Sequence, residues 1–250
     1  MVCVASVARA QIPVPTQPPT PVPIAPAPVL VDSLLPFARP NGALMRAGAL
    51  TYTLSLTRPD GQLVPLGTRT VSVSEAMLGG TPGWLIAEAR LGTVVESTDS
   101  VYLTRADLTP ERWSATIGKA QLGASFSRDS VFGATESYQG RSSFAMAVPP
   151  DALLSAGMLE RVIELLPLGV GYRASASLLL IDGSTPRAAP VEIIVDREDR
   201  TQTAGHTTDC WVVAVRGGAL EQRLWVSKDA TRVVRVEQTL PAGILSAVLQ

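Results

Sequence analysis

The runs Trp211-Val-Val-Ala-Val215, Leu220-Glu-Gln-Arg-Leu-Trp-Val226, Arg232-Val-Val-Arg-Val-Glu-Gln238 and Gly243-Ile-Leu-Ser-Ala-Val-Leu249 decide the fold class. Only turn residues separate them: Gly217-Gly218, Ser227-Lys228-Asp229 and Pro241-Ala-Gly243. Four short β-type runs spaced this way read as an antiparallel meander, a sheet that must bury one face.

Upstream the same pattern recurs. In Leu50-Thr-Tyr-Thr-Leu-Ser-Leu-Thr57, apolar Leu50, Tyr52, Leu54 and Leu56 alternate with hydroxyl residues. This period of two marks a half-buried strand. Arg58-Pro-Asp-Gly61 follows as a turn, because proline presets φ and glycine accepts positive φ. Further strands are predicted at Thr68–Ala76, Gly83–Leu91, Thr93–Leu103, Arg112–Lys119, Gln121–Ser127, Ser130–Glu136, Val170–Ile181, Val191–Gln202 and Thr207–Val215. Regular spacing between turn signals indicates an all-β sandwich or barrel.

One segment breaks the pattern. Pro149-Pro150-Asp151 opens and Pro167 closes a stretch in which Leu154, Met158, Val162 and Leu166 recur every four residues. Proline early and proline after the end bound a helix, predicted over about residues 151–166. Glu160 and Glu164 fall opposite its apolar face, which must lie on the sheet. The expected fold is mainly β: an antiparallel meander forming a curved sheet or half-barrel, closed by one amphipathic helix.

The 250-residue chain carries 21 basic and 22 acidic residues, and its basic residues are scattered. This balance argues against nucleic acid as a partner, which demands a basic patch. No apolar run reaches the roughly 18 residues of a membrane-spanning helix, so an integral membrane protein of that type is not expected. Ala8-Arg-Ala10 fits a signal-peptidase site, and residues 1–10 read as the remnant of a signal peptide. From Gln11 to Pro28, eight of eighteen residues are proline. Each fixes φ and lacks an N–H, so this tract is expected as an extended or disordered leader. Residues 29–43 read as a connector with one helical turn, and 44–250 as a single β half-barrel domain. Removal of the signal segment takes Cys3 and leaves Cys210 unpaired, so disulfides play no part in the expected fold.

Several stretches carry a more specific resemblance: Asp99-Ser-Val-Tyr-Leu-Thr-Arg-Ala-Asp-Leu-Thr-Pro110, Leu165-Leu-Pro-Leu-Gly169, Gly205…Asp209-Cys-Trp211, Leu224-Trp-Val-Ser-Lys-Asp-Ala-Thr-Arg232 and Pro241-Ala-Gly243-Ile-Leu245. Over residues 45–249 the chain resembles a bacterial envelope family of unknown function, domain-of-unknown-function family 3108. The resemblance implies a fold similar to the periplasmic lipoprotein-carrier half-barrel, a sheet wrapped around a helix with an apolar hollow. It also implies export, and it supplies no catalytic residues.

The chemistry-bearing residues are few. His206, the only histidine, stands near Asp209 and Cys210. Zinc needs three or four ligands, and no other His or Cys is at hand once residues 1–10 are removed. A polar hairpin tip leading into a strand with a buried thiol accounts for the cluster. Asp196-Arg-Glu-Asp-Arg200 would place Asp196 and Glu198 on one strand face as a paired-carboxylate site. Its alternating charges also suit a solvated strand end. No nucleophile elbow, phosphate loop or dinucleotide fingerprint occurs. Trp84, Trp113, Trp211 and Trp225 can line a hollow or serve as core and rim residues.

The leading expectation is a non-enzymatic, periplasmic or otherwise exported protein holding an apolar small molecule such as a lipid or acyl chain. Leu154, Met158, Val162, Leu166, Trp211 and Trp225 would bind that ligand, with no cofactor and no metal. The alternative is an envelope scaffold with a solid core, whose protein partners add a strand to a sheet edge. An enclosed apolar space of about 300 Å³ or more separates the two readings. A hydrolase at His206 or the 196–200 carboxylates is the third.

Overall fold

Short β-forming runs joined by tight turns can pair only with their neighbours, and the sheet follows chain order almost throughout. The computed structural model describes residues 35–92, 96–154, 157–182, 185–203, 205–217 and 220–250. The expected signal remnant, the proline tract and the first part of the connector lie outside the described residues. The chain enters with a two-residue strand, β1 (Leu35–Pro36), and a 3-10 turn over Gly42–Leu44, capped by the Asn41 side chain. An antiparallel meander follows: β2 (Gly48–Thr57), β3 (Leu63–Leu78), β4 (Thr81–Leu91), β5 (Ser97–Thr104), β6 (Pro110–Ile117), β7 (Ala120–Phe126), β8 (Ser130–Ser137) and β9 (Gly140–Ala147). Then come β10 (Ala152–Leu154) and the helix α1 (Met158–Ile163). A second meander runs through β11 (Arg173–Asp182), β12 (Thr185–Thr203), β13 (His206–Gly217), β14 (Leu220–Ser227), β15 (Val233–Leu240) and β16 (Gly243–Leu249).

All sixteen strands join one sheet in the order β1-β11-β12-β13-β14-β15-β16-β2-β3-β4-β5-β6-β7-β8-β9, with β10 on the edge of β11 beyond β1. Only β1 and β10 pair in parallel; every other described ladder is antiparallel. The two meanders are sewn together by β16 and β2, where Ala247 faces Leu54 and Leu249 faces Tyr52. The sheet curls without closing: β9 approaches β12, yet no ladder joins them among the described residues. Bulges at Leu54/Ser55, Tyr102/Leu103, Val195/Arg197 and Trp225/Val226 each insert a residue and sharpen the bend. Gly67 sits at the first of these with φ +113°, where a Cβ would lie 2.2 Å from the Leu91 carbonyl oxygen.

The predicted helix over 151–166 is corrected by the structure. Ala152–Leu154 forms β10, and the helix runs only from Met158 to Ile163. Leu153 and Leu154 pair with Leu178 and Leu179, and this ladder overrides the helical preference of the run. The short helix is buried on every side, not along one stripe: all six of its residues are buried. It lies within the concave face, where Met158, Val162 and Ile163 join Leu54, Val71 and Ile86 in the main core.

Smaller corrections have local causes. The connector forms β1 and a 3-10 turn in its described part, not an α-helical turn. Strand β11 starts at Arg173 and not at Val170, because Gly169–Tyr172 closes a turn. Strand β9 had no sequence prediction. Its Gly140-Arg-Ser-Ser-Phe-Ala-Met-Ala147 run is poor in β-branched residues and is held by a full ladder to β8.

Candidate functional site

Leu154, Met158, Val162 and Leu166 come together in the interior, each buried in the main core cluster. The tryptophans do not join them as a pair. Trp211 faces Val226 across β13–β14, while Trp225 faces Val212, so the two rings lie on opposite faces of the sheet. Trp211 is half-buried against the main core, with Lys228 Nζ 3.9 Å above its ring. Trp225 belongs to a separate outer cluster with Cys210, Val212 and Val234. Its indole N–H donates to Asp199 Oδ2 at 3.0 Å, and the Arg235 guanidinium lies 4.8 Å over its ring. A single hollow therefore cannot be walled by both. Trp84 belongs to the main core, its N–H donating to the Gly42 carbonyl at 2.9 Å.

The other sequence candidates separate. His206 and Asp209 are exposed, whereas Cys210 is buried, and burial pushes its thiol up to about 11. That direction disfavours a thiolate. No group of three or more acidic, Cys or His side chains is arranged for a metal among the described residues. The expected Asp196/Glu198 face is broken by the bulge between Val195 and Arg197. Instead the cluster is spent in ion pairs: Asp196 with Arg216 at 2.9 Å, Glu198 with Lys228 at 2.6 Å, and Arg200 with Asp209 at 2.7 Å.

The concentration of chemistry lies where the sequence reading did not place it, between α1 and the sheet. Arg69 on β3 reaches Glu88 on β4 at 2.6 Å and Glu160 on the helix at 2.7 Å. Glu88 also receives Arg90 at 2.7 Å. Arg161 holds Glu164 at 3.0 Å and donates to the Tyr52 hydroxyl at 3.2 Å. Tyr52 in turn donates to the Val233 carbonyl at 2.9 Å, and the Val233 N–H donates to Glu164 at 2.6 Å. Two helix side chains and the C-cap Glu164 are thus tied to β2, β3 and β15. Burial opposes every charge here, and the outcome depends on partners. Burial pushes Glu88 up, but Arg69 and then Arg90 outweigh it and hold Glu88 below the usual range. Burial outweighs Arg161 at Glu164 and pushes that carboxyl up to about 7. Asp99 on β5, opposite Glu88, is also pushed up to about 7, by burial first and by Glu88 next.

These residues left a signal in the sequence. Arg69 is in phase with Val71 and Val73, Glu88 with Trp84 and Ile86, and Asp99 with Val101 and Leu103. Charges at core-facing positions of three consecutive strands indicate a buried ionic layer. Their partners on the helix, 91 residues from Arg69, carried no such mark.

Two cavities accompany this layer. A trough of about 410 Å³ runs along β3–β7. Its Thr70, Thr98 and Thr116 form one row and Ser72, Ser100 and Ser114 the next, on the face turned away from the helix. A cavity of about 40 Å³ lies between the helix and the wall, lined in part by Arg69, Arg90, Glu160, Gln222 and Gln238.

The fold is similar to a beta-barrel-like protein of domain of unknown function DUF1849 from Brucella abortus. The TM-score is 0.54 at 7% identity, covering 82% of this chain and 96% of that one. The hypothetical lipoprotein YmcC from Escherichia coli K12 aligns over 80% of this chain and 86% of its own, at 13% identity and a TM-score of 0.32. Among curated proteins none matches the chain. Residues 51–250 match the model of a family described as protein of unknown function, DUF3108. That span takes in every strand of the sheet from within β2 onward, and the chain belongs to the DUF3108 family.

Proposed function

We propose that this protein is a non-enzymatic, exported β module of the bacterial envelope that works through its surface as a scaffold or interaction domain. The observation that carries this reading is the filled interior. Helix α1 occupies the concave face where a ligand would sit, and five direct contacts tie the charged side chains of the helix and its C-cap to the wall or to one another. The interior cavity of about 40 Å³ falls far short of the roughly 300 Å³ that small-molecule sites start from. The outer trough reaches that size, but hydroxyl and Ala side chains dominate it. Apolar ligands favour aliphatic and aromatic walls. Export is supported by the Ala8-Arg-Ala10 pattern ahead of the proline tract. Beyond Ile194 the β11 side of β12 carries no ladder among the described residues, which offers an edge for strand addition.

The apolar-ligand reading keeps one supporting observation: Leu154, Met158, Val162 and Leu166 form a continuous apolar surface inside the sheet. A lipid or acyl chain would have to displace α1, taking Glu160 from Arg69 and leaving the Val233 N–H without its acceptor. Native mass spectrometry of the purified full chain, followed by solvent extraction, tests the two readings. A chain mass alone, unchanged by added fatty acid or phospholipid vesicles, supports the surface module. A copurifying lipid mass overturns it.

A further inference from the structure

Of the buried atoms of the ionic layer that have no hydrogen-bond partner in the protein, two belong to residues that line the same small space. Glu160 Oε1 is taken by Arg69, yet Glu160 Oε2 has no hydrogen-bond donor; Arg69 uses both terminal nitrogens, yet its Nε–H has no acceptor. Both side chains are more than nine-tenths buried. Around the same space stand Gln222 and Gln238, a directly opposed pair on β14 and β15, together with Arg90. Ala247 on β16 keeps it open with a side chain too short to fill it.

We infer that this cavity is an internal hydration site, in which ordered water links Glu160 of the helix to Arg69 and to the Gln222–Gln238 pair on the wall. A buried ionised oxygen without a donor is more costly than immobilising one water molecule beside it. Cavities that stay dry are apolar, whereas this one sets two guanidiniums, a carboxylate and two carboxamides beside Leu54, Val236, Leu245 and Ala247. Its volume of about 40 Å³ exceeds the roughly 10–15 Å³ that one water requires by the same measure, so one to about three molecules fit. An exchange path also exists, because the Arg90 side chain that borders the cavity is 44% exposed.

The hydration site gives α1 a second kind of attachment. One oxygen of Glu160 is fixed directly to β3, and the other reaches β14 and β15 through solvent that can rearrange. The helix is thereby joined to both meanders through one carboxylate.

Crystals of the full chain, diffracting to about 1.5 Å and examined with and without xenon pressure, test the assignment. The expected result is water density within hydrogen-bonding distance of Glu160 Oε2 and no xenon in the cavity. Xenon occupancy, an empty cavity, or a protein donor on Oε2 would overturn it. A solution measurement covers the case in which crystals fail. Water-oxygen magnetic relaxation dispersion of the wild-type chain should show long-lived internal water, and Gln238→Met should reduce that signal by at least one molecule and lower Tm. Because methionine matches glutamine in size, a dry cavity predicts the opposite: an unchanged signal and an equal or higher Tm. That result would also overturn the assignment.

Discussion

Replacing Arg69 by methionine removes the cation that Glu88 and Glu160 share while keeping most of the side-chain volume. The structure sets the magnitude. The two contacts are 2.6 and 2.7 Å, and no side chain in the trio is more than 6% exposed. Glu88 retains Arg90 after the change, but the remaining cation beside Glu160 is Arg161, 3.8 Å from its second oxygen. Removing one partner of a buried pair costs about 3–5 kcal/mol, because the other charge stays buried and uncompensated. With a urea m-value of about 2–3 kcal/mol/M, the midpoint should fall by roughly 1–2.5 M with m unchanged. Equilibrium unfolding in urea, followed by tryptophan fluorescence, reads this directly. Adding Glu88→Gln and Glu160→Gln to Arg69→Met should recover part of the loss, since the stranded charges are then gone. A loss below about 1 kcal/mol, the size of an exposed surface pair, would refute the claim that this layer anchors the helix.

Glu164, pushed up to about 7 by burial, gives one part of the pH dependence; a second part of the same sign follows from Asp99, which is pushed up to about 7 by burial and then by Glu88. The folded chain holds a proton that the unfolded chain releases near its ordinary pKa of about 3.9, so this contribution is complete below that value and is lost as pH rises through about 7. Asp99→Asn should flatten the fall in Tm between pH 5 and 8; a profile parallel to wild type would refute the assignment. Gly83→Ala should destabilise by about 1–3 kcal/mol in the same urea assay, because the new Cβ would lie 2.3 Å from the Leu103 carbonyl oxygen and 2.7 Å from the Tyr102 hydroxyl. Arg39 donates to the carbonyls of Leu108 at 3.1 Å and Ala152 at 2.6 Å. Arg39→Ala should loosen both segments, seen as faster amide exchange in 105–109 and 150–154, and unchanged exchange there would remove this role.

Legibility in the sequence tracked how local the cause was. Strand β2 was readable because Leu50, Tyr52, Leu54 and Leu56 alternate, and the final four strands because their turns are written in Gly, Pro, Asp and Ser. The segment 151–166 was misread as one helix because the partner that extends Ala152–Leu154 is β11, more than twenty residues downstream. Glu160 and Glu164 read as the solvated face of an amphipathic helix. Glu160 is buried and Glu164 half-buried because the sheet curls around the helix and supplies Arg69 and the Val233 N–H. The Asp196–Arg200 cluster failed as a paired site because a single bulge shifts its alternation, and bulges leave no dependable mark in a charged run. Trp211 and Trp225 were grouped by residue type, although fourteen positions along a hairpin with their register place them on opposite faces.

The seam between β16 and β2 bears on how the chain is made. Among the described residues every other antiparallel ladder joins strands that are neighbours in sequence, but Gln250 and Thr53, which hydrogen-bond across this seam, are 197 residues apart. At a synthesis rate of roughly 5–20 residues per second, one edge of β2 waits on the order of 10–40 s for its second neighbour. The first meander therefore leaves the ribosome with an open strand edge, and the seven-residue β16 is the strand that covers it. The same adjacency brings Gln250 beside the start of β2, where its N–H donates to the Thr51 carbonyl at 3.0 Å. A chain re-ordered to begin at β10, with Gln250 joined to Gly48 by a short linker, would convert the slowest contact of the domain into one more local hairpin.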